Sequence, residues 1–135
     1  MAGPTTAGYA AQAAGEPWHY VGETGEPAFE SDWANSADPD LPRMSFRLRE
    51  AGIVDLVGYV YSGTYLSTAI FILPADYRPT SGTTAMVPIV VNGSPIRARW
   101  LLIYDNGRVE PVGIAVDEYM IISGSFFLTS PPPAP

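Results

Sequence analysis

The chain has 135 residues, with 14 acidic and 7 basic side chains, a net charge of −7, 13 glycines, 14 prolines and no cysteine. Without cysteine, disulfides, thiolate metal sites and thiol catalysis are excluded, and so much glycine and proline suits many short strands rather than helices. No apolar run reaches the roughly 18 residues of a membrane span, the N-terminus lacks the pattern of a signal peptide, and no cationic footprint for nucleic acid or an anionic membrane is present.

Charge divides the chain. Residues 1–42 hold Glu16, Glu23, Glu26, Glu30, Asp32, Asp38 and Asp40 and no base, whereas from Arg43 onward acids and arginines balance. Residues 1–32 therefore read as an extended acidic Gly/Ala/Pro-rich arm, 33–129 as a folded domain, and 130–135 (Ser-Pro-Pro-Pro-Ala-Pro) as a polyproline-like tail. Within the arm, Tyr9 to Ala14 is long enough for only one or two helical turns. Trp18, His19, Tyr20, Phe29 and Trp33 form an aromatic patch in otherwise polar sequence. Such rings either cap the base of a core or a subunit seam, or offer a stacking platform for sugars beside carboxylates. Asn35 to Pro42 is a connector with two prolines.

The strands then follow in order. Arg43–Arg49 alternates Met44, Phe46 and Leu48 against Arg43, Ser45, Arg47 and Arg49, the pattern of a half-buried strand. Its arginine row is expected to face solvent or to pair with acids of the arm. After Glu50-Ala-Gly52, Ile53–Tyr61 is mostly apolar on both faces, with Val54, Leu56, Gly58 and Val60 on one and Ile53, Val57, Tyr59 and Tyr61 sharing the other with Asp55. That places it centrally or at a subunit interface. Ser62-Gly-Thr64 reads as a hairpin into Thr68–Leu73, an apolar strand stopped by Pro74, around which the remaining strands are expected to arrange. Tyr77 is placed to fold its ring back over the sheet edge. Thr84–Val91 contains Pro88, which predicts an edge or a bulge. Asn92-Gly93 is a hairpin signal, and Pro95–Tyr104 returns with Trp100 among Ile96, Ala98, Leu102 and Tyr104. Asp105-Asn-Gly107 turns into Arg108–Val112. Gly113–Val116 and Tyr119–Thr129 complete the set, with Gly124 permitting a bend. Seven or eight short strands separated by such turns predict an all-β, jelly-roll-like antiparallel sandwich.

Residues for chemistry are sparse. His19 is the sole histidine, so a His-based metal cluster is excluded and a Ser-His-Asp triad would depend on it alone. Asp38-Pro-Asp40 could touch a calcium ion, but the EF-hand loop pattern is missing and a turn with Asx caps explains it more simply. Asp117-Glu118 reads as a solvated pair. No pair of carboxylates is marked for glycosidase work, and no phosphate-binding glycine loop occurs. No cofactor is expected.

The order of motifs resembles the small all-β domain of bacteriophage tail-fibre, baseplate, head-fibre and capsid decoration proteins. The resemblance rests on Trp33-Ala-Asn35, Val54-Asp-Leu-Val-Gly-Tyr-Val60, Phe71-Ile-Leu-Pro-Ala-Asp-Tyr-Arg-Pro79, Asp105-Asn-Gly107 and Ser123-Gly-Ser-Phe-Phe127, in that order. It covers about Pro27 to Thr129 and implies a non-enzymatic virion component, often a homotrimer, exposed on the particle and made in the host cytoplasm. The expected seam is the face of Ile53, Val57, Tyr59 and Tyr61, and the arm is expected to anchor the subunit to other capsid or tail proteins. The absence of a long shaft favours a capsid decoration or head-fibre role. The alternatives are a tail-fibre or baseplate adhesin that grips a host cell-surface glycan, or a carbohydrate-binding module using Trp18, Trp33 or Trp100.

Overall fold

A computed structural model describes residues 16–62, 69–115 and 117–128. The chain is all-β and antiparallel. The described residues form nine strands, β1 (His19–Tyr20), β2 (Ala34–Asn35), β3 (Ser45–Arg49), β4 (Ile53–Tyr61), β5 (Phe71–Ile72), β6 (Thr84–Asn92), β7 (Arg97–Tyr104), β8 (Arg108–Val112) and β9 (Tyr119–Phe127). Hydrogen bonding runs through a single sheet in the order β1-β3-β4-β9-β6-β7-β8-β5, with β2 continuing beside β4 beyond the start of β3. The two layers expected of a sandwich are thus opposite stretches of one coiled sheet.

The coiling is visible where the ends of the strand order meet. Phe46 of β3 and Phe71 of β5 stack with centroids 5.7 Å apart, and the Glu30 N–H donates to the Ile70 carbonyl at 2.8 Å. Period-2 alternation then gives the sheet one buried and one outer face. Met44, Phe46, Val54, Leu56, Val60, Val87, Leu101, Ile103 and Met120 are completely buried on the inner face.

Two residues set the bend. Pairing between β6 and β9 runs from Asn92–Tyr119 to Ile89–Ile122 and stops before Pro88, which has no N–H to continue it. Beyond that point β9 pairs only with β4, and β6 only with β7. At the divergence a Cβ on Gly124 would collide with Cγ1 of Val87, so the valine occupies the place of the missing side chain. Pro88 therefore lies in an interior strand, at the split between two ladders, rather than at an edge.

Other expectations shift as well. Of the Thr68–Leu73 run, Thr68 lies outside the described residues, and residues 69–73 supply only the two-residue edge strand β5. The run's apolarity reflects Ile70, Phe71 and Leu73 filling the core, and the centre of the sheet is β9 and β6 instead. The Asn92-Gly93 signal opens a longer connection spanning 93–96. Gly113 to Ala115 form no strand, Gly113 adopting a φ of +77°. Residues 16–32 do not project as an arm: β1 pairs with β3, and Val21 lies in the core. Residues 1–15, the Gly63-Thr64 part of the hairpin, Val116, Thr129 and the proline tail fall outside the described residues.

Candidate functional site

The aromatic patch separates by face. His19 lies opposite Phe46 in the β1–β3 pair and stacks on its ring at 5.0 Å. Its Nδ1 is 2.8 Å from Glu26 Oε2, and its Nε2 is 3.0 Å from the Tyr77 hydroxyl and 3.2 Å from Glu16 Oε1. Burial pushes the Tyr77 phenol up, reinforced by the hydrogen bond and charge of Glu16. For Glu16, burial alone would raise the pKa, but hydrogen bonds from Tyr77 and the Leu48 N–H, with His19 beside it, hold it below the usual carboxylate range. The sole histidine thus fastens the leading segment to the body. Trp33 is only 3% exposed and belongs to the core, which removes it as a sugar platform, and Phe29 packs half-buried against the same core.

Trp18 and Tyr20 point to the outer face, where an arginine covers one side of each ring. The Arg47 guanidinium carbon lies 4.4 Å from the Trp18 centroid and that of Arg43 4.1 Å from the Tyr20 centroid. The expected arginine row is therefore engaged. Arg43 pairs with Glu23 of the leading segment, while Arg47 and Arg49 both donate to Asp55, each at 3.1 Å. Burial alone would raise the pKa of Asp55, but hydrogen bonds from Ser125, Arg47 and Arg49 outweigh it and hold the carboxyl below its ordinary value.

Beside these rings the chain leaves the sheet after β2 and returns at β3, and the excursion walls an open groove. Trp18, Tyr20 and Arg43 form one side, Asn35 to Pro42 the other, and Ser45 and Val57 the floor, enclosing about 610 Å³. The loop is braced from within. Asp38 accepts the Asp40 N–H at 2.9 Å as an Asx turn, and its own N–H donates to Ser36 Oγ at 3.2 Å. Asn35 Oδ1 accepts the Met44 N–H at 2.7 Å. The Asp38 carboxylate thus acts in a turn, and the described residues contain no cluster of three or more potential metal ligands.

A second feature occupies the same outer face across β9, β6, β7 and β8. Cross-strand neighbours Ile121, Val90 and Ala98 make one row; Pro88, Trp100 and Val112 make the next. Ile121, Val90 and Trp100 are 39%, 41% and 49% exposed, and no charged side chain interrupts these rows. The predicted seam residues Tyr59 and Tyr61 border this stripe, Tyr59 directly opposite Ile121, while Ile53 and Val57 lie farther along β4. All four are half-buried. Tyr59 accepts a hydrogen bond from Asn92, and both tyrosine rings contact Tyr119. Sequence reasoning missed that the Trp100 side of β7 faces outward while the Arg97/Arg99 side, through Leu101 and Ile103, faces the core. The available signal was that both faces of this strand are apolar. Glu118, read as solvated, is clasped by Arg97 and the Ala115 N–H, and the Arg97 bond leads in lowering its pKa.

Compared with known proteins, the chain matches no family model, no curated protein and no solved structure.

Proposed function

We propose that this chain is a non-enzymatic structural module of a bacteriophage virion. In this reading it sits on the particle surface as a capsid decoration or head-fibre subunit and associates with two further copies. The order of turn and core motifs supplies the phage assignment. The observation that carries the association is the uncharged apolar stripe of Ile121, Val90, Pro88, Trp100 and Val112. Contiguous exposed apolar surface of this kind marks an interaction site. A chain of net charge −7 repels its own copies least where the contact is free of charge, which favours this stripe as the seam, with Tyr59 and Tyr61 at its margin. The exposed surface of the leading segment, itself docked on the sheet through β1, then remains for contact with other virion proteins.

The test is the native mass of the full-length protein alongside Trp100→Glu. About three chain masses for the wild type, falling to one in the variant with an unchanged circular dichroism spectrum, is the expected result. A monomeric wild type would overturn the seam. Host attachment on a tail fibre or baseplate is a second reading, favoured by the aromatic groove beside Trp18. Labelling of host cells by the purified protein separates it from a particle-stabilising role.

A further inference from the structure

We infer that the groove between Trp18/Tyr20 and the Asn35–Pro42 loop binds a neutral saccharide. This names the ligand class of the attachment reading, yet it depends on neither the virion assignment nor the trimer. Sugar rings present C–H faces that pack on aromatic side chains and hydroxyls that exchange hydrogen bonds with planar polar groups. The groove offers both among its lining residues. Trp18 and Tyr20 line it with Arg43, and Asn35 and Asp38 of the loop line it as well.

Three further observations bear on the choice of ligand. Arg47, which packs on one face of Trp18, is not among the lining residues, whereas Arg43, over Tyr20, is, so Trp18 is the principal stacking ring. The opposite wall is fixed by its own hydrogen bonds through Asn35, Ser36 and Asp38, so binding need not pay for ordering a loop. Asp38 on the wall and the overall charge of −7 disfavour anionic ligands. A proline-rich peptide would use the rings but offers fewer hydroxyl partners than a sugar for the remaining donors and acceptors of Asn35, Asp38 and Arg43, each of which also makes an internal bond, so the polar rim favours the saccharide.

The three tryptophans make the test internally controlled, because Trp33 is buried and Trp100 lies on the separate apolar stripe. Isotope-labelled full-length protein is titrated with tetrasaccharides of glucose, galactose, mannose and N-acetylglucosamine at millimolar concentrations, following the indole N–H resonances. Saturable movement of the Trp18 signal by at least one sugar, with Trp33 and Trp100 unmoved, is expected. Trp18→Ala should weaken that binding about tenfold or more, the equivalent of one good stacking contact. Trp18 also covers Arg47, so Arg43→Ala, at a half-exposed rim position, serves as the second variant and should weaken binding several-fold. Trp100→Ala should leave it unchanged even if it abolishes self-association. The inference fails if no tetrasaccharide moves Trp18, if Arg43→Ala binds like the wild type, or if a proline-rich peptide moves Trp18 and the sugars do not.

Discussion

Replacing Gly124 tests the geometry that bends the sheet. Gly124 pairs with Leu56 of β4, and a Cβ there would collide with Cγ1 of the fully buried Val87 across the gap where β6 and β9 part. Valine is stiff about χ1, so its methyl cannot swing clear without strain. Gly124→Ala should therefore destabilise by about 1–3 kcal/mol through overpacking. Val87→Ala removes two buried carbons and should cost about 2 kcal/mol. In the double variant the new methyl enters the space the valine has vacated, so its stability should match that of Val87→Ala alone, a coupling of about 1–3 kcal/mol. Urea unfolding reads this directly, since a loss of about 2 kcal/mol moves the midpoint by roughly 1 M in a domain of this size. If the two losses add to within about 0.5 kcal/mol, the two side chains do not compete for one space and the account of the bend is wrong.

Two further outcomes follow from buried groups. The folded pKa of Asp55 is depressed, so its contribution is complete above about pH 4 and drains away as pH falls below the unfolded value, with Glu16 acting in the same direction. Asp55→Asn should cost about 1–3 kcal/mol at neutral pH and flatten part of that acid limb. Urea midpoints measured from neutral to acid pH check this, and an equally steep limb in the variant would count against the Asp55 network. Trp33→Ala should lose about 3–5 kcal/mol because the indole is core. A melting temperature within a few degrees of wild type would show that the ring does little packing.

Much of the strand inventory was legible because it is local. β3 announces itself through alternation, β4 and β7 through apolar runs between turn residues, and Asp105-Asn-Gly107 fixes the β7–β8 turn to within a residue. Strand order was not legible, because β4 meets β9 through residues 58 to 74 positions apart, and no short-range pattern encodes such a pairing. The leading segment misled for a related reason. Its composition is that of a solvated tail, yet a few residues (Val21, Trp33 and the His19 ring) take up contacts that only the folded sheet provides. Of the candidate site, Trp18 and Tyr20 were visible as sticky residues. The wall opposite them was visible only as a turn, because what makes it a wall is where the chain re-enters the sheet.

The central position of β9 also has a temporal meaning. Among the described strands it is the last to leave the ribosome, yet it joins the two ladders that the others build. Until it arrives, β4 and β6 each expose a long unpaired edge, and their apolar faces cannot close over one another. Such non-local closure makes for slow folding and a nascent chain with open edges to shield. A chain stopped before Tyr119 would lose the strand joining the two halves, so translation must run nearly the full described length before any stable core exists.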